Sequence, residues 1–239
     1  MLLLVCNEKG GVGKTTIAVN LAAMCVLAGK ETLLIDTDKQ ESASAWAGVR
    51  HENEVEPTVT CVAKTGKVGY DLAKLKEKFE IVIVDAGGRD SIEMRQAMAV
   101  CDKAILPIKP AQFDVWSLSR MAQLVRDVTE RTEIPVNAYA FINGASSNPM
   151  VRETQEVKEA LKDYVEVFPT LESVVTERIA FRKAAREGLG VVELTPGLSD
   201  PKATLELMAL YQEIFNESWI PAEAPVAAAK QAGDDAGNA

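Results

Sequence analysis

The chain opens with an apolar run, Leu2-Leu3-Leu4-Val5-Cys6, and after Asn7 and Glu8 reaches Lys9-Gly10-Gly11-Val12-Gly13-Lys14-Thr15-Thr16. Strand, glycine-rich turn, then helix is the order a nucleotide-phosphate cradle requires. The glycines let the backbone turn tightly so that successive N–H groups point at phosphate oxygens. The helix beginning near Lys14 adds the positive end of its dipole. In this pattern Lys14 reaches the β- and γ-phosphates and the Thr15 hydroxyl holds Mg²⁺. The segment meets G-x-x-x-x-G-K-[ST] everywhere except at the first glycine, where Glu8 stands. The second lysine, Lys9, marks a deviant form of the loop.

Beyond the loop, β-rich runs alternate with helical periods, which predicts an α/β fold with a mainly parallel sheet covered on both faces. Strands are expected at 2–6, 31–35, 81–84, 104–108 and 136–142, with 57–63 as an edge strand. Helices are expected at 15–27, 41–49, 70–78, 91–100, 115–131, 151–163, 177–187 and 202–216. A length of 239 residues suits one large domain, which would bury roughly three-quarters of its unfolded surface. The expected domain is 1–219. From Pro221 the chain reads PAEAPVAAAKQAGDDAGNA, without aromatics, so 220–239 is expected to be a disordered tail.

No apolar run approaches the ~20 residues of a membrane helix, and the N-terminus lacks a signal peptide's basic region. A cytoplasmic chain is expected. Cys6, Cys25, Cys61 and Cys101 form no CxxC pair, and His51 is the only histidine. Zinc and histidine-based acid–base catalysis are therefore disfavoured. The net charge of −9 argues against wholesale nucleic-acid coating but leaves room for a local basic patch.

A nucleotide site also needs carboxylates at strand ends beside the loop. The run Leu33-Leu34-Ile35 ends in Asp36 and Asp38, whose spacing puts both on one side of an extended chain. That suits one for a metal shell and one for an attacking water. The run Ile81-Val82-Ile83-Val84 delivers Asp85 where a Walker B acid belongs, to bind Mg²⁺ directly or through water. Gly87 and Gly88 would let backbone N–H groups approach the γ-phosphate.

KGGVGKTT, LLIDTDKQ and IVIVDAGG, in this order, resemble the deviant Walker A ATPases of the ParA/MinD superfamily over about residues 1–215. With the first strand at the start of the chain, the likeness is greatest to small ParA-type (ParF-like) partition ATPases. The resemblance implies an ATP- and Mg²⁺-dependent homodimer with two nucleotides sandwiched between subunits. Lys9 matches the lysine that reaches the partner's nucleotide, as an arginine finger does. Lys14 matches the P-loop lysine, Thr15 the Mg²⁺ ligand and Thr16 the contact to the α-phosphate. Asp38 matches the acid that positions water, Asp36 the acid supporting the metal shell, and Asp85 the Walker B acid. The family usually has proline where Lys39 stands, a surface-turn change of little chemical consequence, and often where Gly87 and Gly88 stand, so the switch near the γ-phosphate is expected to be more flexible here. Arg89 is either a charge on that switch or a solvated residue.

The segment 106–114 is either part of the dimer interface, as the resemblance implies, or a rigid connection in which Asp114 caps the next helix. Arg178, Arg182 and Arg186, spaced by four with Lys183 beside them, would form one stripe on a helix. That stripe is either a phosphate-backbone contact surface or a solvated face. The resemblance implies ATP-dependent, sequence-independent binding of double-stranded DNA there, with Lys202 aligned to a basic position used in the same way. It further implies nucleoid association and a ParB-type centromere-binding or cargo-adaptor protein that stimulates hydrolysis. The expected cargo is a plasmid or a chromosome, with a protein assembly such as a microcompartment or chemoreceptor cluster as the alternative. A MinD-like membrane regulator would need a basic amphipathic C-terminal helix, whereas this tail is broken by proline and carries Asp234 and Asp235.

Overall fold

The computed structural model describes residues 1–112, 115–148 and 150–222. Asp114 and residues 223–239, most of the expected tail, lie outside them. Seven strands form one parallel sheet: β1 (Leu2–Val5), β2 (Thr32–Asp36), β3 (Thr60–Ala63), β4 (Ile81–Asp85), β5 (Lys103–Ile108), β6 (Ala138–Ala145) and β7 (Thr170–Thr176). Their order across the sheet is β3-β2-β4-β1-β5-β6-β7. The helices are α1 (Lys14–Leu27), α2 (Ser42–Glu52), α3 (Gly69–Lys78), α4 (Ile92–Val100), α5 (Val115–Thr132), α6 (Glu153–Leu161), α7 (Ile179–Arg186) and α8 (Pro201–Phe215).

Alternation along each strand divides the interior in two. Leu2, Leu4, Leu33, Ile35, Val82 and Val84 face one core, where Leu72 of α3, Met94 of α4, Leu118 of α5 and Val157 of α6 pack. Leu3, Val5, Leu34, Ile81 and Ile83 face the other, against Ile17 of α1, Trp46 of α2, Phe181 of α7 and Leu207 of α8. Strands buried on both faces need continuous apolar runs, which is why LLLV and IVIVD carry no polar residue before their ends. Burying a side chain of this size contributes about 1.5–3 kcal/mol each.

Because the strands are parallel, all their C-terminal ends meet at one edge of the sheet. The phosphate loop after β1, the acids after β2 and Asp85 at the end of β4 lie side by side there, in the crevice where open α/β sheets bind ligands. Asp36 and Asp85 are register partners on β2 and β4.

Strand β7 has no counterpart among the expected strands. Its burial is mixed and its sequence, TLESVVT, has no continuous apolar run. Its ladder groups are covered from α8: Glu213 accepts from the Glu172 and Ser173 amides at 2.8 and 2.7 Å, and Glu206 accepts from the Thr176 amide at 2.9 Å. Side-chain carboxylates thus satisfy an edge that would otherwise recruit another strand.

Candidate nucleotide site

The loop between β1 and α1 is shaped by backbone that only glycine tolerates well. Gly11 and Gly13 adopt positive φ (74° and 90°). A Cβ on Gly13 would fall 2.3 Å from Asn143 Nδ2. That amide nitrogen donates to the Val12 carbonyl at 2.6 Å and pins the loop against the end of β6. On the other side, Asn7 is buried, donates to the Pro107 carbonyl at 3.0 Å and accepts from the Lys9 amide at 3.0 Å. The loop is therefore braced from β5 and β6 before any ligand arrives. Sequence pattern assigns neither asparagine a role, because the partners that define those roles lie 131 and 100 residues away.

Lys14 is buried, and its ammonium donates to the Lys9 carbonyl at 3.0 Å. Burial pushes its pKa down, while Asp85 and Asp38 hold it up. The two carboxylates compensate this buried cation, so the ammonium is held charged at the loop. Thr15 donates its hydroxyl to Asp85 Oδ2 at 2.6 Å. Asp85 itself is fully buried, and its Oδ1 has no hydrogen-bond partner among the described residues. Burial raises its pKa to about 7, against the Thr15 hydrogen bond and with help from the neighbouring Asp36 charge. An orphaned buried carboxylate oxygen beside a threonine hydroxyl fits a hard cation with oxygen ligands.

The two acids after β2 do different work. Asp36 is fully buried; its Oδ1 accepts from the Asp38 amide at 3.0 Å and its Oδ2 from the Ser44 amide at 2.9 Å. It shapes the turn and caps α2, a geometric duty that the expectation of a metal-shell ligand did not include. Asp38 is partly exposed, and among the described residues its carboxylate accepts from the Gln40 amide, at 3.0 Å on Oδ1, with no partner on Oδ2. Thr37 ties the two strand ends together, donating from its amide and hydroxyl to the Asp85 carbonyl at 3.0 and 2.9 Å.

Gly87 and Gly88 bridge these parts. A Cβ on Gly87 would sit 3.6 Å from Asp38 Cα, and one on Gly88 would sit 3.3 Å from Gly10 Cα and 3.5 Å from Lys14 Nζ. A side chain at Gly87 would meet Asp38 at ordinary contact distance, while one at Gly88 would crowd Gly10. Arg89 lies with Asp38, Lys39 and Gly88 along the same cleft.

The basic stripe is only partly as expected. Arg178 precedes α7 in extended backbone (φ −132°, ψ 146°), so it is not on the helix. Its guanidinium is paired with Glu206 at 2.6 Å and Asp200 at 3.5 Å, which raises its pKa further and ties β7 to α8. The expected helix began two residues earlier, at Glu177, because periodicity does not register the strand-to-helix corner. Arg182, Lys183 and Arg186 are exposed on α7, and Lys202 is exposed in the first turn of α8.

The chain matches the CobQ/CobB/MinD/ParA nucleotide binding domain over residues 3–191. It belongs to that family. It is 32% identical over 203 residues to a maintenance of carboxysome distribution protein A from Gloeobacter kilaueensis, covering 79% of this chain and 82% of that one. It is 25% identical to the chromosome-partitioning ATPase Soj of Treponema pallidum, over 77% and 86% of the two chains. The fold is similar to that of apo McdA from Cyanothece, with a TM-score of 0.72 at 15% identity over 89% of this chain and 98% of that one. The ParA/MinD membership and the P-loop α/β fold expected from the sequence both hold. No helix among the described residues is long and apolar enough to cross a membrane.

Proposed function

We propose that this chain is an Mg²⁺-dependent ATPase that positions cargo by cycling between an ATP-bound dimer and an ADP-bound monomer. The observation that carries the reading is the contact between Thr15 and Asp85, with the Asp85 Oδ1 left over, beside the buried Lys14. Thr15 and Asp85 would hold Mg²⁺, which when bound neutralises charge on the β- and γ-phosphates. Gly10, Gly11, Val12 and Gly13 present backbone N–H groups, Lys14 binds the terminal phosphates, and Thr16 lies one residue on towards the α-phosphate.

Asp38 orients the attacking water through its Oδ2, with Asp36 fixing where the Asp38 backbone sits. Gly87 and Gly88 follow the γ-phosphate and shift against Asp38 and Gly10 when it leaves. Lys9 is a second cation at the loop; reaching a partner subunit's nucleotide, it would stabilise charge that develops in transfer. Sharing the site between two copies makes dimerisation depend on ATP.

The dimer would hold double-stranded DNA without sequence preference through Lys183, Arg186 and Lys202, at roughly 10⁻⁴–10⁻⁶ M in physiological salt. A ParB-type or adaptor protein on the cargo would trigger hydrolysis and release. The cargo is DNA, a plasmid or chromosome, in keeping with the Soj relative. A second reading, a protein assembly carried over the nucleoid, is favoured by the name of the 32% identical relative. The test is the ATPase rate with and without nonspecific DNA, then with the product of a neighbouring gene. Stimulation only by both together supports the cycle; ATP turnover indifferent to DNA and partner argues against it.

A further inference from the structure

The cleft does not end at the phosphate loop. Strand order puts the acidic side, Asp36, Asp38 and Asp85, on the β2–β4 flank of the loop, and β5, β6 and β7 on the other. A nucleotide whose terminal phosphate lies by Asp38 and Gly88 must extend its nucleoside towards β6 and β7. There the cleft brings Gly13 and Thr16 together with Asn143 and Gly144 from the end of β6, and with Phe181 and Arg182 from α7.

Three cations border this arm, and two are already engaged. Lys109 pairs with Glu177 at 3.1 Å, its stem lying within 3.4 Å of where a Gly144 Cβ would be. Arg178 is held by Glu206 and Asp200. Arg182 meets no carboxylate within ion-pair distance among the described residues. Phe181, its neighbour, is buried and fixes α7 against the sheet, so the guanidinium is presented from an anchored helix. A planar fork of five donors suits the ribose hydroxyls, or stacking on a purine.

We infer that Arg182 is a nucleotide-binding residue at the nucleoside end of the cleft, which it lines while Lys183 and Arg186, exposed on the same helix, do not. This rests on the nucleotide reading of the loop. It also removes Arg182 from the DNA surface that its spacing with Arg186 suggested. One helix then carries both the ligand contact and the DNA contact, which gives nucleotide occupancy a short route to DNA affinity.

Calorimetric titration of Mg-ATP and of Mg-tripolyphosphate into wild type, Arg182→Gln, Arg182→Lys and Arg186→Gln decides it. Arg182→Gln should weaken ATP about tenfold, as loss of one charge-assisted hydrogen bond does, with Arg182→Lys recovering part. Tripolyphosphate, which lacks the nucleoside, should bind Arg182→Gln and wild type alike, and Arg186→Gln should bind both ligands as wild type does. ATP affinity unchanged in Arg182→Gln, or an equal loss for both ligands, overturns the assignment. Absence of ATP binding by wild type overturns the nucleotide reading itself and the assignment with it.

Discussion

Thr15 and Asp85 are joined by a 2.6 Å hydrogen bond that closes the gap between the start of α1 and the end of β4. The other Asp85 oxygen is left buried and unpartnered among the described residues. The contact stores a carboxylate where water cannot stabilise it, a state that a divalent cation would relieve.

Asp85→Asn should therefore make the metal-free chain more stable while abolishing Mg²⁺ binding. Burial raises the folded pKa to about 7, above its ordinary value, so the folded state binds more protons than the unfolded one between roughly pH 4 and 7. Stability is then lost as pH rises through that window, and the asparagine gain, on the order of 2–4 kcal/mol at pH 8, shrinks towards pH 4. Urea melts at the two pH values, with and without Mg-ATP, measure both effects. An asparagine variant less stable than wild type at pH 8 would remove the strain argument.

Gly13→Ala should damage the loop in two separable ways. Positive φ costs an alanine about 1–2 kcal/mol, and the new Cβ displaces Asn143 from Val12, losing about 1 kcal/mol more. In an Asn143→Ala background only the backbone cost should remain. A double-mutant cycle on denaturation midpoints reads the difference, and strict additivity would show that the two residues do not press on each other.

Arg50 and Glu193 form a buried bidentate pair at 2.8 and 2.9 Å, and Arg50 also donates to the Pro57 and Gly188 carbonyls. Breaking it by Glu193→Gln leaves a buried cation with neutral partners and should cost about 3–5 kcal/mol. Chemical denaturation checks it. A loss below about 1 kcal/mol, the size of an exposed pair, would mean that the pair is solvated in solution.

Lys183→Glu with Arg186→Glu should abolish retention on nonspecific DNA while leaving the ATP-dependent dimer intact. Filter binding across a salt series is the measurement. Retention that keeps its wild-type salt slope would place the DNA surface elsewhere.

The fold is legible in the sequence where chemistry and burial coincide. Apolar runs ending in a glycine loop or an acid, as at Leu2–Val5 and Ile81–Asp85, must be buried parallel strands whose ends carry the site. Asn7, Asn143 and Thr37 are not legible, because a side chain bracing a loop from a distant strand leaves no local pattern. Strand β7 escapes notice because TLESVVT has no continuous apolar run and its mixed burial leaves no clear alternation. Arg178 misleads for a different reason: its spacing matches a helix, but its partners on α8 hold it in extended backbone.

If two copies share the nucleotide site, turnover needs Asp38 and the cross-subunit contact needs Lys9. The most direct test is the molar mass of Asp38→Ala in Mg-ATP, set beside the same variant carrying Lys9→Ala. Asp38→Ala should be a stable dimer retaining one uncleaved ATP per subunit, and adding Lys9→Ala should return it towards monomer. A monomer at saturating Mg-ATP, or a dimer unaffected by loss of Lys9, would mean that the nucleotide site is not shared between two copies.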